Sequence, residues 1–275
     1  MRPDPLSLYV CPQCRGSLNL AGGSRLRCAP CGRAYAIVGG IPDFILEDLG
    51  QSPHRVLQRV RVFDWLARIY DWKSGYPLAV RVYAGWRVSH ARVLKLVADM
   101  VAGVVGLFLD VACGPGTLGR RLAGGNREIY GVDVSWGMLR QGAALAGREG
   151  LGGVHFARSL AEKLPFPDAC FDAALCGAAV HLLADPLAGL GEIYRTLKPG
   201  APLAATTVIA GESGLFKSRA FREYMLADHD LRTFSLPALA KLTAEAGYED
   251  YQAQVFGSLA AFRVRKPGDE IRTND

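Results

Sequence analysis

The sequence predicts an α/β protein built on a doubly wound, mostly parallel sheet, preceded by a small cysteine-rich module. Three observations predict it. Four cysteines at the front form two C-x2-C pairs, in "CPQCRGSLNLAGGSRLRCAPC". From about residue 104, apolar strand-like runs alternate with helical patterns, which argues a parallel sheet with helices on both faces. The stretch "LFLDVACGPGTLGRRLA", residues 107–123, sets Gly114, Gly116 and Gly119 in a G-x-G-x-x-G pattern directly after the first of those runs.

Composition bounds the classes. The chain has 275 residues, 50% hydrophobic and 21% charged, which suits one large domain plus something small and excludes a disordered chain. The opening "MRPDPLSLYVCPQC" has no apolar signal-peptide core. The most apolar region, "LVADMVAGVVGLFLDVACG", is interrupted by Asp99 and Asp110, and the run between them is too short for a membrane span. A cytoplasmic protein is expected.

The first element, residues 1–47, contains Cys11, Cys14, Cys28 and Cys31, with thirteen residues between the two pairs. Each pair makes a tight turn that points two thiolates at one point, and two such turns supply a closed, structural, tetrahedral zinc site. The alternatives are free thiols, or disulfides, which a reducing cytosol disfavours. "LNL" and "LRC" read as short strands, so a zinc ribbon is expected, with Zn2+ supplying most of its stability. Cys113, Cys170 and Cys176 stand at unpaired spacings and read as small buried hydrophobes.

Residues 48–103 read as helical, broken at Gly75 and Pro77. Residues 51–100 carry nine basic against three acidic side chains, in a chain of net charge +6. Such a face attracts RNA, an anionic membrane surface or acidic substrates; a solvated helical surface is the plain alternative. Strand-like runs follow at 106–111, 129–134, 153–157, 171–177, 203–209 and 249–264, giving a large domain over 104–267. The tail, 268–275, reads as disordered.

The glycine turn suits two cofactors, because a doubly wound sheet binds nucleotides at its carboxyl edge. A dinucleotide brings a pyrophosphate, which needs backbone N–H groups and no nearby negative charge. Asp110 stands four residues before Gly114. It would repel pyrophosphate but suits the cationic methionine end of S-adenosylmethionine, or it merely caps the turn. Asp133, at the tip of "IYGVDVS", can accept both ribose hydroxyls of either cofactor.

The later run "AEKLPFPDACFDAALCGAAVHLLADPLAGLGEIYRTLKPG" adds "LPF…FD", "H…DP" and "LKPG" in order after the glycines and "GVDVS". This ordered set, over residues 104 to about 265, resembles class I S-adenosylmethionine-dependent methyltransferases of the ubiquinone/menaquinone type (type 11). The cysteine module followed by "GIPDF", and the later "AATT", resemble a zinc-ribbon-bearing branch of those enzymes. The resemblance implies a seven-stranded Rossmann-like sheet and S-adenosylmethionine rather than nicotinamide. It implies cofactor contacts at Asp110, Ala112, Gly114, Gly116, Asp133, Val134, Met138, Leu160, Ala161 and Cys176. One position departs from the family pattern: Leu160 stands where an Asp usually meets the adenine amino group. Adenine recognition would then rest on backbone at Leu160 and Ala161, with apolar stacking near Ser135 and Met138.

Methyl transfer is an in-line displacement that needs alignment and exclusion of water. His181, after "FDAALCGAAV", is the candidate base or acceptor-orienting group; the alternative is a structural histidine closing that turn. Asp185–Pro186 reads as a helix cap. The acceptor walls are expected in a lid at residues 60–90, with Tyr70, Tyr76, Tyr83 and Trp86, and in the insertion 211–234, with Phe216, Phe221, Tyr224 and Met225. These residues suit an apolar or aromatic small-molecule acceptor. Two other functions compete. One is an rRNA or tRNA methyltransferase that holds RNA through the ribbon, with Arg15, Arg25, Arg27 and Arg33, and the basic helices. The other is a non-catalytic S-adenosylmethionine-binding protein.

Overall fold

A computed structural model describes residues 4–47, 49–52, 55–58, 60–61, 64, 67, 80, 88–210, 214–229 and 231–268. Two sheets organise them. The front module is an antiparallel sheet of four strands in sequence order: β1 (Leu18–Ala21), β2 (Arg25–Cys28), β3 (Ala34–Val38) and β4 (Ile41–Pro42). Its strands are short and largely exposed, apart from Leu26, Cys28, Tyr35, Ile41 and Pro42. A module of this size buries too little apolar surface to fold unaided.

The large sheet has seven strands. They are β5 (Gly106–Val111), β6 (Arg127–Asp133), β7 (Val154–Arg158), β8 (Ala173–Cys176), β9 (Pro202–Val208), β10 (Glu249–Phe256) and β11 (Leu259–Arg265). Their spatial order is β10-β11-β9-β8-β5-β6-β7. β7, β6, β5, β8 and β9 run parallel, and β11 pairs antiparallel with both β9 and β10. The run expected at 249–264 is therefore a hairpin of two strands. β8 and β9 are buried along their whole length, as parallel strands covered on both faces must be.

Before the sheet lie α1 (Arg55–Gln58) and α2 (His90–Met100); between its strands lie α3 (Thr117–Leu122), α4 (Trp136–Arg148), α5 (Pro186–Thr196), α6 (Arg219–His229) and α7 (Leu236–Glu245). Their starts are written locally. Ser89, Ser135 and Ser235 accept an N–H of the first turn of α2, α4 and α7, and Asp185 accepts those of Leu187 and Ala188, with Pro186 at the first position of α5. Such caps contribute about 1 kcal/mol each.

The strand order reverses between β5 and β8. That opens a crevice at the carboxyl edge of the sheet, where such folds bind ligands. The front module borders this edge. Asp43 bridges in parallel to Arg158 at the end of β7, so β4 runs beside the outermost strand of the large sheet and covers it.

Asp64 meets the start of α4. Asp64 Oδ1 accepts from the Ser135 hydroxyl at 2.6 Å and from the Gly137 N–H at 2.8 Å. A Cβ on Gly137 would lie 2.6 Å from the Asp64 carbonyl oxygen and 2.7 Å from its Cα. Helix propensity alone makes Gly137→Ala stabilising by up to about 1 kcal/mol. Backbone contact reverses the sign: Gly137→Ala should destabilise the protein by about 1–3 kcal/mol, read by denaturant unfolding. A neutral or stabilised variant would remove the Asp64 docking contact.

Candidate functional site

The crevice at the carboxyl edge of β5, β6, β7 and β8 holds a cavity of about 810 Å³, its open mouth included. Ala112 and Gly114 come from the turn after β5, and Asp133 and Val134 from the tip of β6. Ser159, Ala161 and Glu162 follow β7; Gly177, Ala178 and Ala179 follow β8. Met138 of α4 forms the floor, Leu182–Ala184 one wall, and Leu57 of α1 the lid side. Among the described residues its charged lining is Asp133 and Glu162, and Glu162 accepts from the Asp185 N–H at 3.0 Å.

Backbone strain marks both turns. Ala112 and Ala178 hold φ of 50° and 53°, a left-handed conformation that alanine adopts at a cost of about 1–2 kcal/mol. The Ala178 N–H is pinned to Thr206 Oγ1 at 2.6 Å. Gly114, at φ 54°, needs no such compensation. Asp133 ties these pieces together. Its Oδ2 accepts from the Gly114 N–H at 2.8 Å and its Oδ1 from the Ser135 N–H at 2.8 Å. A carboxylate has about four lone-pair sites, so each oxygen keeps one for a ligand. Burial raises the Asp133 pKa, against the lowering effect of its backbone donors.

Asp110 is buried, and its Oδ2 accepts from the Gly119 N–H at 3.1 Å. It borders a smaller adjoining cavity with Ala112, Gly114 and Gly177. Burial lifts its pKa to about 7, with Asp133 adding to the rise. It therefore both secures the turn and faces the space beside the glycines.

Among the residues expected at the cofactor, Ala112, Gly114, Asp133, Val134, Met138 and Ala161 line the main cavity. Three do not. Leu160 packs with Ile45 and Leu49, against Val60, whereas Ser159 and Ala161 on either side of it take the cavity side. Cys176 is fully buried within β8, and the strand's end places Gly177 and Ala178 at the cavity instead. Gly116 caps α3 at φ 71° and faces the Phe156 ring, which a Cβ would meet at 3.0 Å.

His181 also departs from expectation. It sits on the 3-10 turn Val180–Leu182, buried against β9 rather than at the cavity floor. Its Nδ1 accepts from the Val208 N–H at 3.3 Å and lies 3.3 Å from the Thr207 hydroxyl. A neutral imidazole has one acceptor nitrogen, and here it faces the strand. Burial lowers the pKa to about 3, far from that of a useful base. The consequence falls on stability. The folded pKa lies below the ordinary 6.5, so His181 contributes stability that is fully present above pH 6.5 and is lost as pH falls toward 3. Asp110, raised to about 7, acts oppositely: its contribution is present below pH 3.8 and lost as pH rises through 7. The two slopes oppose each other between pH 4 and 6.5. Relative to His181→Gln, the wild type should lose about 1.4 kcal/mol per pH unit below pH 6, measured by urea unfolding. Equal slopes would place a charged histidine in the fold.

Tyr70, Tyr76, Tyr83 and Trp86 lie outside the described residues. In the insertion, Phe216 is buried with Val208 and Leu231, Phe221 and Met225 pack on that cluster, and Tyr224 is exposed. α6 touches α1, but these four side chains do not line the main cavity. Residues that the sequence did not single out include Leu57, Ser159, Glu162 and Gly177–Ala179. Their signal was positional: each strand of a parallel sheet delivers its following loop to the same edge.

The cysteine cluster is compact. The Sγ atoms of Cys11, Cys14, Cys28 and Cys31 all lie within 4.8 Å of one another. The Cys11–Cys31 and Cys14–Cys28 separations are 3.7 and 3.4 Å, too long for disulfides and close to the ~3.8 Å edge of a tetrahedron with 2.3 Å zinc–sulfur bonds. The donor set fits zinc.

Residues 108–200 match the methyltransferase domain family. Over 194 residues the chain is 29% identical to a demethylmenaquinone methyltransferase of Geobacillus kaustophilus, covering 70% of this chain and 76% of that one. It is 31% identical over 128 residues to a malonyl-[acyl-carrier protein] O-methyltransferase of Pseudescherichia vulneris, covering 45% of this chain and 49% of that one. The fold is shared with a phosphoethanolamine N-methyltransferase of Haemonchus contortus solved with S-adenosylhomocysteine (TM-score 0.64, 19% identity, 79% of this chain and 61% of that chain). Among the described residues, no helix is long and apolar enough to cross a membrane. Sheet order, matched domain and relatives together show a methyltransferase domain similar to those of the class I, S-adenosylmethionine-dependent enzymes.

Proposed function

We propose that the chain methylates a small, apolar, ring-bearing acceptor in the cavity at the carboxyl edge of its sheet. The observation that carries this reading is the cavity lining: alanine, leucine, valine and methionine side chains, with Asp133 and Glu162 as the charged groups among the described residues. Apolar walls favour apolar surface, and among the described residues the lining gives a phosphodiester no cationic partner. The demethylmenaquinone methyltransferase relative supports a quinol-like ring as the acceptor class.

Asp133 would take the ribose hydroxyls, and Ala112, Gly114 and Asp110 would border the methionine end. When bound, S-adenosylmethionine supplies an electrophilic methyl group on a sulfonium. The chain holds the acceptor in line, and Leu57, Leu182 and Leu183 keep water out. With the His181 acceptor nitrogen facing β9, the described residues assign no protein base to the acceptor site, which suits an acceptor that ionises by itself, such as a phenol or hydroquinone. Cys11, Cys14, Cys28 and Cys31 would hold one structural zinc ion, completing a zinc ribbon.

Methyl-labelled S-adenosylmethionine tests the function directly. Label should pass to alkylated hydroquinones or phenols and not to transfer or ribosomal RNA. Transfer to RNA, with binding that weakens steeply with salt, would replace the small-molecule reading. S-adenosylhomocysteine binding without transfer to any acceptor would favour a non-catalytic binding protein.

A further inference from the structure

We propose that Arg158 is a positioning residue through which the cysteine ribbon sets the cofactor-binding wall, with Asp43 as its anchor on the ribbon side. The proposal rests on the cofactor reading given above. Arg158 ends β7, in register with Asp133 on β6. Its Nε donates to the Val134 carbonyl at 2.9 Å, and its Nη1 reaches the Asp43 carboxylate at 3.2 and 3.3 Å. The guanidinium also lies 5.5 Å from the centre of the Trp136 ring. One side chain thus joins the ribbon, the tip of β6 and the first residue of α4. Val134 lines the cavity on one side of it, and Ser159, the next residue along the chain, lines it on the other.

The backbone reinforces the junction. The Phe44 N–H donates to the Arg158 carbonyl at 2.8 Å, and the Ser159 N–H to the Asp133 carbonyl at 3.1 Å. A continuous chain of hydrogen bonds therefore runs from Phe44 through Arg158 and Ser159 to the residue expected to hold the ribose. Arg158 and Asp43 are both largely buried, with side-chain exposures of 14% and 19%. A pair removed from water in this way is costly to break from one side. Arginine suits the place because its planar fork holds a carboxylate and a carbonyl in a fixed relative geometry, which a lysine's freely rotating ammonium does not impose.

Below the junction the ribbon holds the loop after β7 a second time. The Val10 N–H donates to the Pro165 carbonyl at 3.0 Å, and Tyr9 packs its ring 5.3 Å from that of Phe166. The segment 159–166, which carries Ser159, Ala161 and Glu162 to the cavity, is thus fastened to the ribbon at both ends. The ribbon is therefore the outer support of the cofactor site, not an appendage. By reciprocity, a cofactor that orders the wall must also tighten the ribbon contacts.

The test uses the full-length chain and S-adenosylhomocysteine, titrated by calorimetry. Asp43→Asn should weaken binding roughly 5-fold or more, the lower range for coupled sites, and Asp43→Glu should restore most of it. The KM for S-adenosylmethionine should rise in Asp43→Asn while kcat stays near the wild-type value, a split that general destabilisation does not produce. A folded Asp43→Asn protein with wild-type affinity would overturn the proposal. Hydrogen exchange on the wild type gives an independent answer should that variant fail to fold. S-adenosylhomocysteine should slow exchange at the Phe44 amide as well as at Ser159; slowing confined to Ser159 would overturn the coupling. Absence of any S-adenosylhomocysteine binding by the wild type would instead sink the cofactor reading itself.

Discussion

Asp133→Ala is expected to weaken S-adenosylmethionine binding by roughly 1.5–3 kcal/mol, or about 10–150-fold, the size of hydrogen bonds to a charged group. The carboxylate does two things at once. It presents lone pairs to the cavity, and it collects the Gly114 and Ser135 N–H groups, so it shapes the glycine turn that the ligand would touch. Alanine removes both functions. The unpaired N–H groups should also lower stability, so affinity must be measured at a temperature where the variant is folded. Asp133→Asn separates the two effects only partly. Its amide oxygen can keep one N–H partner, but its NH2 group then faces the other donor. The asparagine variant should therefore bind little better than the alanine variant, although it is nearly isosteric. Unchanged affinity in both, by calorimetry, would place the ribose elsewhere.

The parts of this molecule that were legible in the sequence share one property: local spacing specifies them. Two C-x2-C pairs bring four sulfurs together because each pair is its own turn. Asp133 and Gly114 meet because a parallel β-turn-α unit must place the end of one strand beside the turn of its neighbour. The helix starts at Ser89, Ser135, Ser235 and Asp185 are caps written within four residues. What was not legible depends on partners distant in the chain. Leu160 stands at the family's adenine-binding position, yet its side chain turns to Ile45 and Leu49, over a hundred residues away. His181 has the position of a base but not the orientation, because β9 offers it an N–H and a hydroxyl. Gly137 reads as a poor helix residue until Asp64 is laid against it. Arg158 is one arginine among many until β4 is seen beside β7.

The cysteine cluster carries the largest expected effect on stability. Loss of zinc should unfold the ribbon, because its four short strands bury few apolar side chains of their own. With free zinc a thousandfold above its Kd, binding adds about 4 kcal/mol to stability, so removal should lower the melting temperature by roughly 8–16 °C. The burial pattern separates metal binding from packing. Cys11 and Cys28 are buried, whereas Cys14 and Cys31 are exposed. If the cluster only packs, Cys14→Ser and Cys31→Ser should stay within about 0.5 kcal/mol of the wild type, as exposed substitutions do. If it holds zinc, all four serine variants should fall together, since a tetrahedral site fails when any one ligand is lost. Cys11→Ser should fall slightly further, because Cys11 Sγ also lies 3.1 Å from the Tyr35 hydroxyl. Unfolding of the ribbon would uncover Tyr9, Phe44 and Phe166, now packed between the two sheets, so aggregation should accompany chelation. One zinc per chain by elemental analysis, lost in every serine variant, is the expected result. Metal-free protein purified without chelator, with a melting curve that chelator leaves unmoved, would leave four thiols and no zinc site.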